Sequence, residues 1–86
     1  MPAVTIRYWA AAKEAAGVAE EMLEAATLAA IMDAALARRG GDPRLAAIFA
    51  RSSFLVDGAA AGVRDAERVV LLDGAVVEVL PPFAGG

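Results

Sequence analysis

The sequence predicts an α+β fold, a single mixed sheet with one main helix laid across one face. Three observations carry that expectation. The chain opens on an alternating segment rich in β-branched and aromatic residues, Val4-Thr5-Ile6-Arg7-Tyr8-Trp9. Its middle holds one apolar stripe at helical spacing, formed by Leu28, Ile31, Met32, Ala35 and Leu36. Near its end, Val76-Val77-Glu78-Val79-Leu80 reads as a strand and is stopped at once by Pro81 and Pro82, which lack amide donors.

In the first strand, Val4, Ile6 and Tyr8 share one face, and Thr5, Arg7 and Trp9 share the other. Ala10 to Ala16 is a short helix-prone connector ending at Gly17. Val18 to Ala25 then reads as a second strand, antiparallel to the first. Its glutamates Glu20, Glu21 and Glu24 mark an exposed strand edge guarded by charge. Thr27 is an N-cap for the main helix. Arg38 and Arg39 suit the negative end of its macrodipole, and Gly40-Gly41 ends it. Asp42 caps a second helix with Pro43 at its first position, and Leu45, Ile48 and Phe49 face inward. Ser53 to Val56 is a third strand, turned by Asp57-Gly58, and Ala59 to Val63 returns as a short strand. Arg64 to Arg68 is a loop or single turn. Val69 to Leu72 leads to a second Asp-Gly turn at Asp73-Gly74. In the last strand Val77 and Val79 face the helix, which leaves Val76 and Leu80 on the other side. That apolar outer face reads either as a partner surface or as a central strand covered by a loop.

The 86 residues make one domain, read as residues 1–81 with an extended tail over 82–86. There is no cysteine and no histidine. That removes disulfides, thiolate or imidazole metal sites, and every Cys/His or Ser/His/Asp nucleophile. With only carboxylates left as ligands, no metal site is expected. Hydrophobic residues make up 59% of the chain, many of them alanine, so the larger side chains must supply the core. A net charge of −3 argues against nucleic acid, whose binding needs clustered Lys and Arg. No apolar run reaches the roughly 20 residues that span a bilayer, and Met1-Pro2 leads directly into a strand rather than a secretory signal. The expected location is the cytoplasm.

The functional expectation lies in Leu80-Pro81-Pro82-Phe83-Ala84-Gly85-Gly86. An apolar strand, two stiffening prolines and a Gly-Gly carboxylate make the one place where chemistry is both possible and arranged. Gly85 and Gly86 carry no Cβ, so the backbone there fits a narrow tunnel in another protein. Pro81 and Pro82 hold an extended exit and lower the entropy lost on docking. Phe83 either anchors the tail in a partner's apolar pocket or packs back on its own domain. Arg7 and Trp9 belong to an outer docking face, or Trp9 is a core aromatic at the strand end. Lys13 and Glu14 pair across an interface or are simply solvated. No residue is a convincing general acid or base, so the chain reads as a substrate-like subunit without independent activity.

Several stretches resemble the small subunit of molybdopterin synthase, a ubiquitin-like sulfur-carrier family. They are Val4 to Trp9 with Lys13-Glu14-Ala15-Ala16-Gly17, then Phe54-Leu55-Val56-Asp57-Gly58, Leu72-Asp73-Gly74, and Val79 to Gly86. The resemblance implies a β-grasp, ubiquitin-like fold. It also implies that Gly86 is adenylated by a ubiquitin-activating-type adenylyltransferase using ATP, then converted to a thiocarboxylate by a sulfur donor protein. The charged carrier would dock on the large synthase subunit and pass sulfur to a cyclic pyranopterin monophosphate for the molybdopterin dithiolene. No cofactor is bound by the carrier itself. The chain departs from the family's pattern at Ala75-Val76, where acidic residues are frequent, and at Asp57-Gly58, where Asn-Gly is common. Two other readings therefore stay open: a carrier for thiazole, cysteine or transfer-RNA thiolation, or a modifier joined to lysines of target proteins. A β-grasp interaction module with no terminal chemistry is a third.

Overall fold

The computed structural model describes residues 1–82. The elements follow the expected order: β1 (Ala3–Tyr8), α1 (Ala10–Ala16), β2 (Glu20–Glu24), α2 (Leu28–Ala37), α3 (Pro43–Arg51), β3 (Ser53–Val56), β4 (Ala59–Ala61), a 3-10 turn (Val63–Asp65) and β5 (Val76–Leu80). The five strands form one sheet in the order β2-β1-β5-β3-β4. The β1–β5 pair is parallel and every other pair is antiparallel, so the sheet is mixed. The last strand is therefore central.

Alternation divides the sheet into two faces. Val4, Ile6 and Tyr8 of β1, Phe54 of β3, and Val77 and Val79 of β5 are fully buried. Against them pack Leu28, Ile31 and Ala35 of α2 and Leu45 and Phe49 of α3. Met32, Leu36 and Ile48 lie at the margin of this core, half-buried. The helices start as their caps dictate. Thr27 Oγ1 accepts from the Ala30 amide at 3.1 Å, and Asp42 Oδ1 accepts from the Arg44 amide at 2.9 Å with Pro43 in the first turn.

The two Asp-Gly turns do more than reverse the chain. At Asp57-Gly58 both φ values are positive, +49° and +85°, the pairing that a tight hairpin turn requires. The Asp57 carboxylate then accepts from the Val76 amide at 2.9 Å, which ties the hairpin to the start of β5. Asp73 accepts from the Ala3 amide at 2.8 Å and so anchors the start of β1. Both turns thus fix the central pair of strands whose far end leads to the tail.

Two sequence expectations change. Trp9 is not a strand residue: β1 ends at Tyr8, and Trp9 is the N-cap of α1. Glu21 is not an edge guard. It faces inward beside Ile6, because Glu21 is opposite Ile6 in the β1–β2 register, and its side chain is only 10% exposed. Glu20 and Glu24 are exposed on the β2 edge, as expected of charges that discourage further pairing. The returning strand β4 stops at Ala61 rather than Val63. No helix among the described residues is long and apolar enough to cross a membrane.

Candidate functional site

The end of the sheet from which the tail departs is built by the C-terminal ends of β1 and β5. Because these strands are parallel, Tyr8-Trp9 and Val79-Leu80 leave the sheet side by side. The Trp9 amide donates to the Val79 carbonyl at 3.2 Å, one hydrogen bond beyond the end of β1. The chain then turns sharply into α1 through Ala10, whose φ of +49° is strained for a residue with a Cβ. This corner turns the Trp9 side chain outward. It is 48% exposed, which sets aside the core-aromatic reading.

Trp9, Ala10, Leu80 and Pro81 together line an apolar cleft of about 310 Å³. Leu80 and Pro81 are half-buried and Pro82 is exposed. Pro81 and Pro82 also line a smaller cleft, about 130 Å³, with Ala11, Ile48 and Arg51. The two prolines thus border a cleft shared with α1 and the end of α3 as the chain leaves β5. Phe83, Ala84, Gly85 and Gly86 lie outside the described residues.

Arg7 is on the outer face, in the row where β2, β1 and β5 align Glu20, Arg7 and Glu78. Its guanidinium is 3.4 Å from Glu20 and 3.8 Å from Glu78, and it is 45% exposed. Exposed pairs of this kind contribute little stability, roughly 0–1 kcal/mol. They set the Arg7 guanidinium between two carboxylates on the outer face. Thr5, Met22, Leu55, Val76 and Leu80 share this face, and none of them is fully buried. Val76 and Leu80 are half-buried on this face, opposite the one that packs against α2 and α3. Among the described residues no cluster of acidic side chains is arranged to hold a metal ion.

Sequence reasoning missed the polar network behind this corner. The Tyr8 hydroxyl donates to Glu21, Arg39 pairs with the same carboxylate at 2.7 Å, and Arg38 approaches it at 3.2 Å. Arg39 also donates to the Ala16 carbonyl at the end of α1 and to the Ala35 carbonyl of α2, each at 2.9 Å. Its guanidinium lies 5.3 Å from the centre of the Tyr8 ring. One buried carboxylate with its arginine thereby fastens α1, α2 and β2 to the residue that precedes Trp9. The signal in the sequence was a tyrosine on the buried face of β1 with a glutamate and a double arginine elsewhere, which spacing alone does not join.

Burial holds the Tyr8 hydroxyl well above the usual tyrosine range, and the Glu21 hydrogen bond and charge add to this, while Arg39 opposes it. The raised value means that the folded chain keeps its proton more tightly than the unfolded chain. This stabilisation is fully present below the ordinary tyrosine value, about 10, and is lost as pH climbs above it. Thermal melting between neutral and strongly alkaline pH is expected to show falling stability above about pH 10. Because Tyr8 is the only tyrosine, Tyr8→Phe should flatten that fall. An unchanged alkaline slope in the variant would contradict this assignment.

The ThiS family model matches residues 6–86. No curated protein sequence matches the chain. Three solved structures are similar over nearly full length. Small archaeal modifier protein 1 from Methanosarcina acetivorans has a TM-score of 0.78 at 22% identity, covering 100% of this chain and 98% of that one. A putative molybdopterin converting factor subunit 1 from Pyrococcus furiosus has 0.73 at 23%, covering 95% and 99%. A complex of subunits 1 and 2 of the molybdopterin-converting factor from Helicobacter pylori has 0.67 at 21%, covering 98% and 99%. At these identities the likeness shows the fold, which is the ubiquitin-like β-grasp.

Proposed function

The chain belongs to the ThiS family, and from that premise we propose that it is a sulfur carrier working as the small subunit of molybdopterin synthase. The observation that carries the reading is the family match, which runs through the β-grasp domain and on to Gly85-Gly86. The geometry around β5 supports it, since an apolar cleft and a double proline surround the exit toward those glycines. The structural likeness to subunits 1 of molybdopterin-converting factors favours the molybdopterin branch, and one of those structures includes its second subunit. A large catalytic subunit is accordingly the proposed partner.

Gly86 carries the chemistry. A carboxylate accepts sulfur poorly, because its charge repels nucleophiles and oxide is a bad leaving group. With an ordinary pKa of about 3.3–3.7 it is ionised at neutral pH and attacks the α-phosphate of ATP. Pyrophosphate leaves, and the mixed anhydride that forms has AMP as a good leaving group. Hydrosulfide-level sulfur from a donor protein then attacks the carbonyl carbon: a C–S bond forms, the C–O bond to the phosphate breaks, AMP leaves with the electron pair, and a thiocarboxylate is left on Gly86. The activating enzyme and the large subunit supply the acids and bases that this chain lacks.

Docking falls to Leu80, Pro81, Pro82, Phe83, Ala84, Trp9 and Arg7. Trp9 is the anchor with the greatest apolar area at the cleft, and buried tryptophans dominate interface energetics. Trp9→Ala is expected to weaken binding of the large subunit by about 2 kcal/mol or more, roughly thirtyfold in Kd. It removes a half-exposed side chain, so the melting temperature should barely move. Calorimetric titration with a parallel melt checks both, and unchanged affinity would remove Trp9 from the interface.

The direct test of the carrier reading is intact mass spectrometry after incubation with ATP, activating enzyme and sulfur donor. Replacement of one oxygen by sulfur at Gly86 is expected. Isopeptide-linked adducts without any thiocarboxylate would favour a modifier, the reading that the likeness to small archaeal modifier protein 1 supports.

A further inference from the structure

We infer that Arg39 is a positioning residue for the docking corner. It holds the chain on both sides of Trp9, so the indole is already set where a partner meets it. The inference rests on the docking role given to Trp9 above.

Little else holds α1. It has seven residues, and Ala12 is the fully buried one. A helix of that length is not stable alone. Its N-cap, Trp9, makes no side-chain capping bond. Its ion pair among the described residues, Glu14 with Arg44 at 4.0 Å, is exposed and contributes little.

The entry into α1 is strained as well. Ala10 holds a φ of +49°, a conformation that persists only where its surroundings impose it. The Trp9 backbone is tied at this corner, its amide to the Val79 carbonyl and its carbonyl to the Ala12 amide, which donates at 3.0 Å. Were α1 free to swing, Ala10 would relax and the indole would move with it.

Arg39 supplies the constraint with three separate nitrogens. Nε donates to the Ala16 carbonyl at the end of α1, Nη1 donates to the Ala35 carbonyl of α2, and Nη2 pairs with the Glu21 carboxylate of β2. The same carboxylate accepts from the hydroxyl of Tyr8, the residue before Trp9. One guanidinium thus clamps β1 immediately before the corner and α1 at its far end. The Arg39 side chain is only 14% exposed, so these bonds are shielded from competing water. With the corner preset, docking costs less ordering of the indole. With it loose, apparent affinity falls by the fraction of molecules that stays competent.

Arg39→Lys separates positioning from charge balance. Lysine keeps a cation beside Glu21, and Arg38 is also near, so the domain should fold. A single ammonium lacks the planar fork that reaches both carbonyls. Trp9 is the only tryptophan, so its fluorescence reports the corner directly. Time-resolved anisotropy of the unaltered full chain should show an indole that turns mainly with the whole molecule. The variant should add a fast local component. Tyr8→Phe leaves the ring in the core, breaks the bond to Glu21, and should loosen the indole too. Calorimetric titration of Arg39→Lys with the large synthase subunit should give a Kd raised about fivefold, as for a corner competent a fifth of the time. In a Trp9→Ala background the same substitution should cost no further affinity. Leu71→Val alters the core beside Ala26, near where β1 begins, and should lower the melting temperature without either change. Unaltered anisotropy in Arg39→Lys and Tyr8→Phe, or unaltered affinity in Arg39→Lys, would overturn the proposal. So would an equal loss of affinity in the Trp9→Ala background, or the same effects from Leu71→Val. A loosened indole in Arg39→Lys, with no binding of the large subunit even by the unaltered chain, would leave Arg39 holding the corner and overturn the carrier reading instead.

Discussion

Deleting Gly86 is expected to abolish sulfur loading completely while the domain folds as before. Among the described residues the core has no member beyond Val79. Gly86 carries no side chain, so its removal takes no side-chain packing from the domain. What it takes is the carboxylate placed at the length that an activating site would accept, leaving one that is one residue short. Extension by a single alanine should be as damaging, because the reactive group is then displaced and a Cβ stands where bare backbone is needed. Intact mass spectrometry should find no oxygen-to-sulfur replacement in either variant, and melting curves should superimpose on that of the full chain. Loading of the shortened chain at the original rate would show that Gly86 is not the reacting residue.

The largest expected effect on stability comes from Phe49→Ala. Phe49 is 1% exposed on α3, and its ring centroid lies 6.0 Å from that of Phe54 on β3 at an interplanar angle of 59°. This tilted geometry suits the quadrupoles of two rings. Truncation of a buried phenylalanine removes its transfer free energy and leaves a cavity, a cost of about 3–5 kcal/mol. A domain of this size has only about 5–15 kcal/mol in total. The variant should therefore lose a large share of its stability, and α3 should detach from the sheet first. Urea unfolding should show a much lower midpoint with an unchanged slope, the pattern of lost stability without a changed denatured state. Phe49→Leu keeps most of the volume and should fall well short of that loss. A shift below 1 kcal/mol for Phe49→Ala would contradict the placement of this ring in the core.

Much of this architecture is local and so was legible in the sequence. Thr27 and Asp42 announce the two larger helices through caps that the structure shows as hydrogen bonds. Leu28, Ile31 and Ala35 repeat at the helical period and are buried. The alternation of Val4, Ile6 and Tyr8 gives the inner face of β1. What escaped was set by long-range pairing. The parallel β1–β5 contact cannot be read from either strand, and it is this contact that brings Trp9 beside Leu80. Trp9 continues the alternation of β1 by residue type, yet the positive φ of Ala10 ends the strand and turns the indole outward. Glu21 looked like its neighbours Glu20 and Glu24. Its inward register and the arginines that follow α2 make it a buried partner of Tyr8 instead. The aspartates of the two Asp-Gly turns were read as turn formers, while their carboxylates also hold amides of Ala3 and Val76 far along the chain. Leu80, Pro81 and Pro82 were placed at the exit from the sheet by reasoning on strand and proline alone, and the clefts there are lined by those residues.

The central claim is that this domain delivers sulfur on its last residue to a pterin. It is tested most directly by mixing the chain, thiocarboxylated at Gly86, with the large synthase subunit and cyclic pyranopterin monophosphate. The account predicts that a dithiolene forms as the thiocarboxylate reverts to carboxylate, with two carriers consumed for each dithiolene. A thiocarboxylate that persists unchanged in the presence of both, with no dithiolene formed, would contradict it.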